Sequence, residues 1–351
     1  MNPISNGFTF GFQVEEEKDL FNNDHAPSQK SGGAGQAPHQ MKIDQEELFE
    51  KGGIKIIPLP SNHQQNKYDF DSISLHSELN ESLPIIIKRV RLSNKETKKQ
   101  LISEEQHSDL IPGVYEGGLK TWECSIDLCE YLYTCYCRHT CNNTPSSDSP
   151  HKLLNVNTID LMMAFSTGSR ILELGCGHGL PGILIHKLAL CQNKVFFSDY
   201  NDYVLESVTW PNVILNFGLT SRNSPNFSMV AGDWMDLSFR LRQGQSDSLP
   251  KDAPGDGRFD LILAAETLYS GSTCKATALL LFRHLVIDSG AALVSTKRYY
   301  FGVGGGTDLF FSFLEKLSTP SLKLQYRIVK SYDSGMGNIR DIILVQLNSM
   351  N

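Results

Sequence analysis

One short run carries the residues best suited to chemistry. Positions 170–182 read Arg-Ile-Leu-Glu-Leu-Gly-Cys-Gly-His-Gly-Leu-Pro-Gly, placing Glu173 two residues ahead of Gly175, with Gly177 and Gly179 following at alternate positions. An apolar stretch (Ile171, Leu172, Leu174) breaks onto these glycines, and a helix-like stretch begins at Pro181, a residue type favoured in a first helical turn. Strand, glycine turn and helix open a nucleotide-binding βαβ unit. The glycines let the backbone come close to a ligand at a helix N-terminus. Two cofactor classes use this geometry. A dinucleotide puts a pyrophosphate at the turn, where the Glu173 carboxylate repels it. S-adenosylmethionine carries an ammonium group that a carboxylate can hold, so Glu173-x-Gly175-x-Gly177-x-Gly179 favours the methyl donor. Gly177-x-Gly179-x-x-Gly182 also matches the dinucleotide fingerprint, and a tight turn with no ligand is the plainest alternative. Cys176 and His178 read as turn residues.

In an open α/β sheet a ligand sits beyond the carboxyl ends of the strands, so the residues after each strand matter most. Asp199, in Ser198-Asp199-Tyr200-Asn201, lies 24 residues past Gly175, where an acid can accept from both ribose hydroxyls; a helix N-cap is the competing role. Next comes Gly232-Asp233-Trp234. Asp233 can accept from an adenine amine and Trp234 offers a ring face, although Trp234 suits a core position nearly as well. Ala264 and Ala265 leave room beside the sulfonium, and Glu266 and Tyr269 are expected to face the methyl acceptor. Ahead of the glycine turn, Gly117-Gly118 opens a helix bearing Trp122 and Glu123, a segment able to fold over a cofactor or simply to cover the sheet. Lys297-Arg298-Tyr299-Tyr300-Phe301 runs into Gly302–Gly306 and suits either a substrate-covering loop or an ordinary long connection.

The elements that must position these residues follow from periodicity. Strands are expected at 170–174, 194–199, 227–231, 259–264 and 290–295, with helices at 119–137, 181–190, 202–217 and 274–287. This alternation implies a parallel sheet covered on both faces. Two last strands, 324–330 and 341–347, form a hairpin around a turn-rich stretch at 334–338, and 240–257 reads as a polar loop. The domain is therefore expected over 106–351, after a largely disordered region, 1–105, that contains the unburiable stretch 22–40 and short β-like stretches at 54–60 and 83–92. Phe8, Phe10 and Phe12 alternate but cannot make a core alone.

A net charge of −7, from 32 Lys+Arg against 39 Asp+Glu, argues against a strongly nucleic-acid-binding surface. No apolar run reaches the length of a bilayer span, and the N-terminus lacks a secretory pattern, so reduced thiols inside a cell are expected. Cys124, Cys129, Cys135, Cys137 and Cys141 cluster around His139, but their spacing matches no standard zinc pattern, and the interleaved Leu128, Tyr131, Leu132 and Tyr136 read as a helix on a core. No metal is expected.

Taken in order, GVYEGGLKTWEC, ELGCGHG, SDYN, GDW, FDLILAAETLY and YFGVGGG resemble the eukaryotic protein-histidine N-methyltransferases, over about residues 106–347. The FTFGF start is also similar to that family's. The resemblance implies a seven-stranded Rossmann-like methyltransferase sheet with helices on both faces, its last strand inserted antiparallel. It implies an acid-x-x-aromatic motif after the fourth strand, here Glu266-Thr267-Leu268-Tyr269. It also implies S-adenosylmethionine held by Thr121, Trp122, Glu123, Cys124, Ser125, Gly175, Ser198, Asp199, Tyr200, Gly232, Asp233, Trp234 and Ala265. A histidine in a large-subunit ribosomal protein is the implied acceptor, with effects on ribosome biogenesis and translation, in cytoplasm and nucleus; a monomer without specific nucleic-acid or membrane binding is expected. No basic localisation cluster stands in 240–257. A lysine methyltransferase sharing the motif, or a silent cofactor-binding assembly factor, are the alternatives.

Histidine suits this chemistry. A neutral imidazole carries a lone pair near pH 7, so alignment with the methyl and a partner for the other ring nitrogen's proton are the main needs. Glu266 is the first candidate for that partner and Tyr269 a candidate orienting group.

Overall fold

The strand that leads into the glycine turn lies in the middle of the sheet, flanked on both sides. In a computed structural model, residues 55–57, 69–77, 80–91, 115–142, 168–189, 192–218, 226–243, 249–250, 253–335 and 338–350 are described. The central strand is β4 (Arg170–Leu174). Beside it run β5 (Lys194–Asp199) and β6 (Phe227–Ala231) on one side, and β7 (Leu261–Ala265) and β8 (Ala291–Lys297) on the other. These five are mutually parallel. β10 (Ile339–Ser349) inserts antiparallel between β8 and β9 (Leu322–Asp333). The seven expected strands are all present. An eighth, β1 (Lys55–Ile56), pairs antiparallel with the outer side of β6.

Strand alternation divides the core into two layers. Ile171 joins a cluster with Leu128 and Leu132 of α1 (Glu123–Asn142), Ile183 and Leu184 of α2 (Leu180–Leu188), and Val213 and Ile214 of α4 (Trp210–Phe217). Leu172 and Leu174 join the opposite cluster. That layer is built on Leu237 and Leu241 of α5 (Trp234–Gln243), Ala278 and Leu281 of α6 (Gly271–His284), and Phe310 and Leu314 of α7 (Thr307–Leu317). A short helix, α3 (Asp202–Val204), leads through a π-helical turn, Leu205–Thr209, into α4. α5 and α7 were not expected. α5 starts inside the motif read for adenine and runs into the polar loop at 240, while α7 follows directly on a glycine stretch.

The expected boundary at 105/106 does not coincide with a break in packing. All described residues belong to one unit, Lys51–Asn351. β2 (Phe70–Ser77), which the sequence reading does not contain, pairs with β3 (Asn80–Val90). Their Leu75 and Ile87 are buried in the α1/α2/α4 layer. Asn212 Oδ1 and Asn216 Oδ1 of α4 accept from the Val90 and Lys88 amides at 2.6 and 3.0 Å, satisfying two edge-strand amides. The stretches 1–54, 92–114 and 143–167, which include Phe8–Phe12 and 22–40, lie outside the described residues.

Cys129, Cys135 and Cys137 are buried on the core side of α1. Among the described residues no group of His, Cys, Asp and Glu is placed to hold a metal ion. No helix among them is long and apolar enough to cross a membrane.

Candidate active site

The carboxyl ends of β4, β5 and β6 are stitched together by backbone hydrogen bonds. Cys176 N–H donates to Ser198 O at 2.9 Å, and Gly232 N–H to Asp199 O at 3.0 Å. Gly177 N–H donates to Asp199 Oδ2 at 2.9 Å and Asn201 N–H to Oδ1 at 3.2 Å. Asp199 is thereby fixed at the end of β5. Burial pushes its carboxyl up to about 6, the two amides opposing that shift. Gly175 has φ +57°, and a Cβ there would stand 3.2 Å from Trp234 Cζ2 and 3.2 Å from Thr267 Cγ2. This spot is a glycine cradle under an indole edge.

Glu173 does not reach that cradle. It faces the α1/α2 layer beside Phe197, 2% exposed, and its Oε2 accepts from Gly182 N–H at 2.8 Å. Burial raises its carboxyl to about 8, so it is largely neutral near pH 7 and exerts little repulsion on a phosphate. The reading of Glu173 as the ammonium partner is therefore corrected: it braces the first turn of α2. What disfavours a pyrophosphate at the turn is instead the pairing of its amides. Those of Cys176, Gly177, Gly179 and Gly182 all have acceptors within the protein, so they present no free N–H cluster to an anion.

The ends of β7 and β8 form the other half of the site, through side chains. Glu266 sits just past β7 at φ +58°, a left-handed conformation rare outside glycine and a mark of an over-determined site. Its Oε2 accepts from Tyr300 OH, and its Oε1 lies 3.6 Å from Lys297 Nζ. Oε1 is buried and has no hydrogen-bond partner. Cys124 is buried against Glu266; burial, then that carboxylate, pushes its thiol well above the ordinary range, so it stays a thiol.

Residues 115–125 cross over both halves. Tyr269 OH donates to Glu116 Oε2, and Glu116 N–H to Asn201 Oδ1 at 3.2 Å. Trp122 Nε1 donates to Gly117 O at 3.0 Å, folding the indole back on the segment. A Cβ at Gly118 would meet Val204 Cγ1 at 2.7 Å and Asp199 Oδ2 at 3.1 Å, so only glycine lets the segment close over the β5 end. His178 anchors it from below: its ring accepts from Asn212 at 3.2 Å and its Nε2 meets Leu119 O at 3.1 Å.

Several expected residues take other duties. Tyr269 holds the covering segment through Glu116 rather than standing free for an acceptor. Glu123 is exposed and paired with Arg340 Nη1 at 3.0 Å, away from the cradle. Asp233 Oδ1 accepts from Met235 N–H at 2.7 Å and so caps α5. Ser198 serves through its carbonyl, its hydroxyl being buried without a partner. Thr121, Ser125, Tyr200, Gly232 and Ala265 are half-buried along the rim, and burial raises the Tyr200 hydroxyl, with Asp233 and Glu116 adding to it. In the sequence Glu116 has no role of its own, His178 only a place in the turn, and Lys297 and Tyr300 only a place in a covering loop or long connection. The segments holding them were legible, but their partners lie far along the chain.

A parallel sheet whose last strand enters antiparallel, with a glycine cradle, an acid after the next strand and an acid-x-x-aromatic corner, defines a Rossmann-like methyltransferase. The family profile described as "Lysine methyltransferase" matches residues 96–316. "Histidine protein methyltransferase 1 homolog" of Dictyostelium discoideum is 36% identical, covering 67% of this chain and 60% of that protein. The Mus musculus protein of the same name is 33% identical, over 83% of this chain and 69% of its own length. "Histidine protein methyltransferase 1" of Schizosaccharomyces pombe is 31% identical, over 60% of each. The chain belongs to this methyltransferase family, in its histidine protein methyltransferase 1 branch. It spans about two thirds or less of the length of these relatives.

The methyl donor of such enzymes is S-adenosylmethionine. The residues present fit it: a cradle that any Cβ would fill, an indole edge over it, and a fixed carboxylate at the β5 end.

Proposed function

We propose that the chain moves a methyl group from S-adenosylmethionine to a ring nitrogen of a histidine in a protein, with a large-subunit ribosomal protein as the substrate class. The observation that carries this reading is the Glu266 corner. There a carboxylate is held by Tyr300 and Lys297, one oxygen is left without a hydrogen-bond donor, and the glycine cradle lies beside the next residue, Thr267.

The bound donor supplies an electrophilic methyl on its sulfonium. Gly175 and Trp234 shape the adenosyl cradle, and Asp199 offers its carboxylate to the ribose. Residues 115–125 exclude water by closing on Tyr269 and Asn201. The acceptor imidazole enters neutral, so the site needs no strong base. Its unprotonated nitrogen takes the methyl as the carbon–sulfur bond breaks and a neutral thioether leaves, and the resulting imidazolium afterwards gives up its N–H proton to solvent. Glu266 Oε1 accepts from the N–H of the other nitrogen, orienting the ring and stabilising the positive charge it acquires. Buried Tyr300, its hydroxyl kept protonated far above the ordinary range by burial first and then by Glu266, fixes that carboxylate in place. Tyr269 contributes as a wall and as the latch of the covering segment.

The relatives' names support histidine; the family profile's description keeps lysine as the second reading. The ribosomal substrate, action as a monomer without specific nucleic-acid binding, and residence in cytoplasm and nucleus belong to this proposal and draw on the family resemblance alone. Mass spectrometry of ribosomal proteins from cells with and without the enzyme tests it. One histidine should lose its methyl in the deletion. A methyl lost from lysine, or no change in any ribosomal protein, would refute the corresponding part.

A further inference from the structure

We propose that Lys297 sets the acceptor class of this pocket: its ammonium fills the cation site made by Glu266, Trp122 and Tyr300, so an uncharged ring nitrogen is admitted and a second ammonium is not. The inference rests on the methyl-transfer reading above.

A carboxylate bordered by aromatic faces is the kind of site that holds an ammonium group. Glu266, Trp122 and Tyr300 make such a site at the acceptor half, and the protein fills it from its own chain. Lys297 Nζ stands 3.6 Å from Glu266 Oε1 and 5.5 Å from the centroid of each of the Trp122 and Tyr300 rings. The residue ends β8, and its backbone is paired with Arg340 of β10, so the ammonium is delivered from the sheet rather than from a loose loop. Its side chain is 26% exposed, which leaves it within reach of an incoming group. A second cation, Lys120 Nζ, lies 4.4 Å from the Trp122 ring. Two ammonium groups therefore lie against the Trp122 ring, and one of them, Lys297, also faces Glu266, where an acceptor must arrive.

A lysine acceptor brings a third positive charge and must also shed a proton before its nitrogen can take a methyl. A neutral imidazole does neither. Glu266 Oε1, ion-paired with Lys297 but accepting no hydrogen bond, then suits an N–H of a neutral ring.

The test uses the full chain and donor labelled in its methyl group. The acceptor source is protein extract from cells lacking the enzyme. Labelled protein is hydrolysed and its methylhistidine and methyllysine are separated. Wild type should label histidine. Lys297→Met keeps the stem and removes the charge, and should raise the methyllysine-to-methylhistidine ratio at least tenfold. Lys297→Arg keeps the charge and should leave the ratio unchanged. An unchanged ratio in Lys297→Met, or loss of all transfer with donor affinity intact, would show that Lys297 supports Glu266 without selecting the acceptor. Wild type labelling lysine alone would refute the histidine reading itself, whatever the variants do.

Discussion

The two halves of the site are built by different means. At the ends of β4, β5 and β6 the contacts are mostly backbone: glycines at positive φ, and amides consumed by Ser198 O, Asp199 and Glu173. At the ends of β7 and β8 they are side chains converging from remote positions: Glu116 on Tyr269, Tyr300 and Lys297 on Glu266, Cys124 beneath. A backbone-built site constrains which residues fit locally, so it leaves a spaced pattern in the sequence. A site built from side chains leaves only isolated residues, whose meaning appears once the chain is folded.

This division accounts for what was legible. Gly175, Gly177 and Asp199 stand out in the sequence because a tight turn after a strand admits few residue types, and the structure brings Gly177 and Asp199 together at the strand ends. The sheet was readable because buried parallel strands are short apolar runs. Glu173 was misassigned for the same local reason. Its spacing to Gly175 resembles a ligand contact, whereas strand alternation points it at α2, beside Phe197 in the opposite layer from Leu172 and Leu174. Glu116 was missed because its partner Tyr269 lies 153 residues away. β2 was missed because only Ile73 and Leu75 make up its apolar inward face, between the exposed Ser72, Ser74 and His76, and so short an alternation does not stand out.

If the cofactor half is a backbone device, a side chain placed in the cradle should destroy it. Gly175→Arg would force φ +57° on a non-glycine residue and drive its stem into Trp234 and Thr267. Methyl transfer should fall by more than about 10³-fold, about 4 kcal/mol, with donor binding lost in calorimetric titration. Near-normal donor affinity in a folded variant would break the assignment.

Glu173→Gln should do little to donor binding, because Glu173 serves the fold; its dissociation constant should stay within about twofold. Its effect should appear in stability against pH. A carboxyl raised from 4.5 to about 8 by burial ionises more readily in the unfolded chain, so its contribution falls as pH rises between those values. Asp199, raised to about 6, has the same sign over a lower window, and His186 and His284, both lowered to about 4 by burial, oppose it by favouring unfolding as pH drops below about 6.5. Urea denaturation from pH 5 to pH 9 should therefore show a shallower decline for Glu173→Gln than for wild type. Parallel curves would mean Glu173 is ionised in the folded protein.

The division of labour itself is tested most directly by Glu266→Gln, with turnover and donor dissociation constant measured on the same preparation. Removing the charge that stabilises the methylated ring should lower turnover by about 10²-fold, on the order of 3 kcal/mol, while donor affinity changes by no more than about twofold. A donor defect as large as the loss of turnover, or turnover that does not change, would contradict a site whose β4–β6 ends hold the donor and whose β7–β8 ends hold the acceptor.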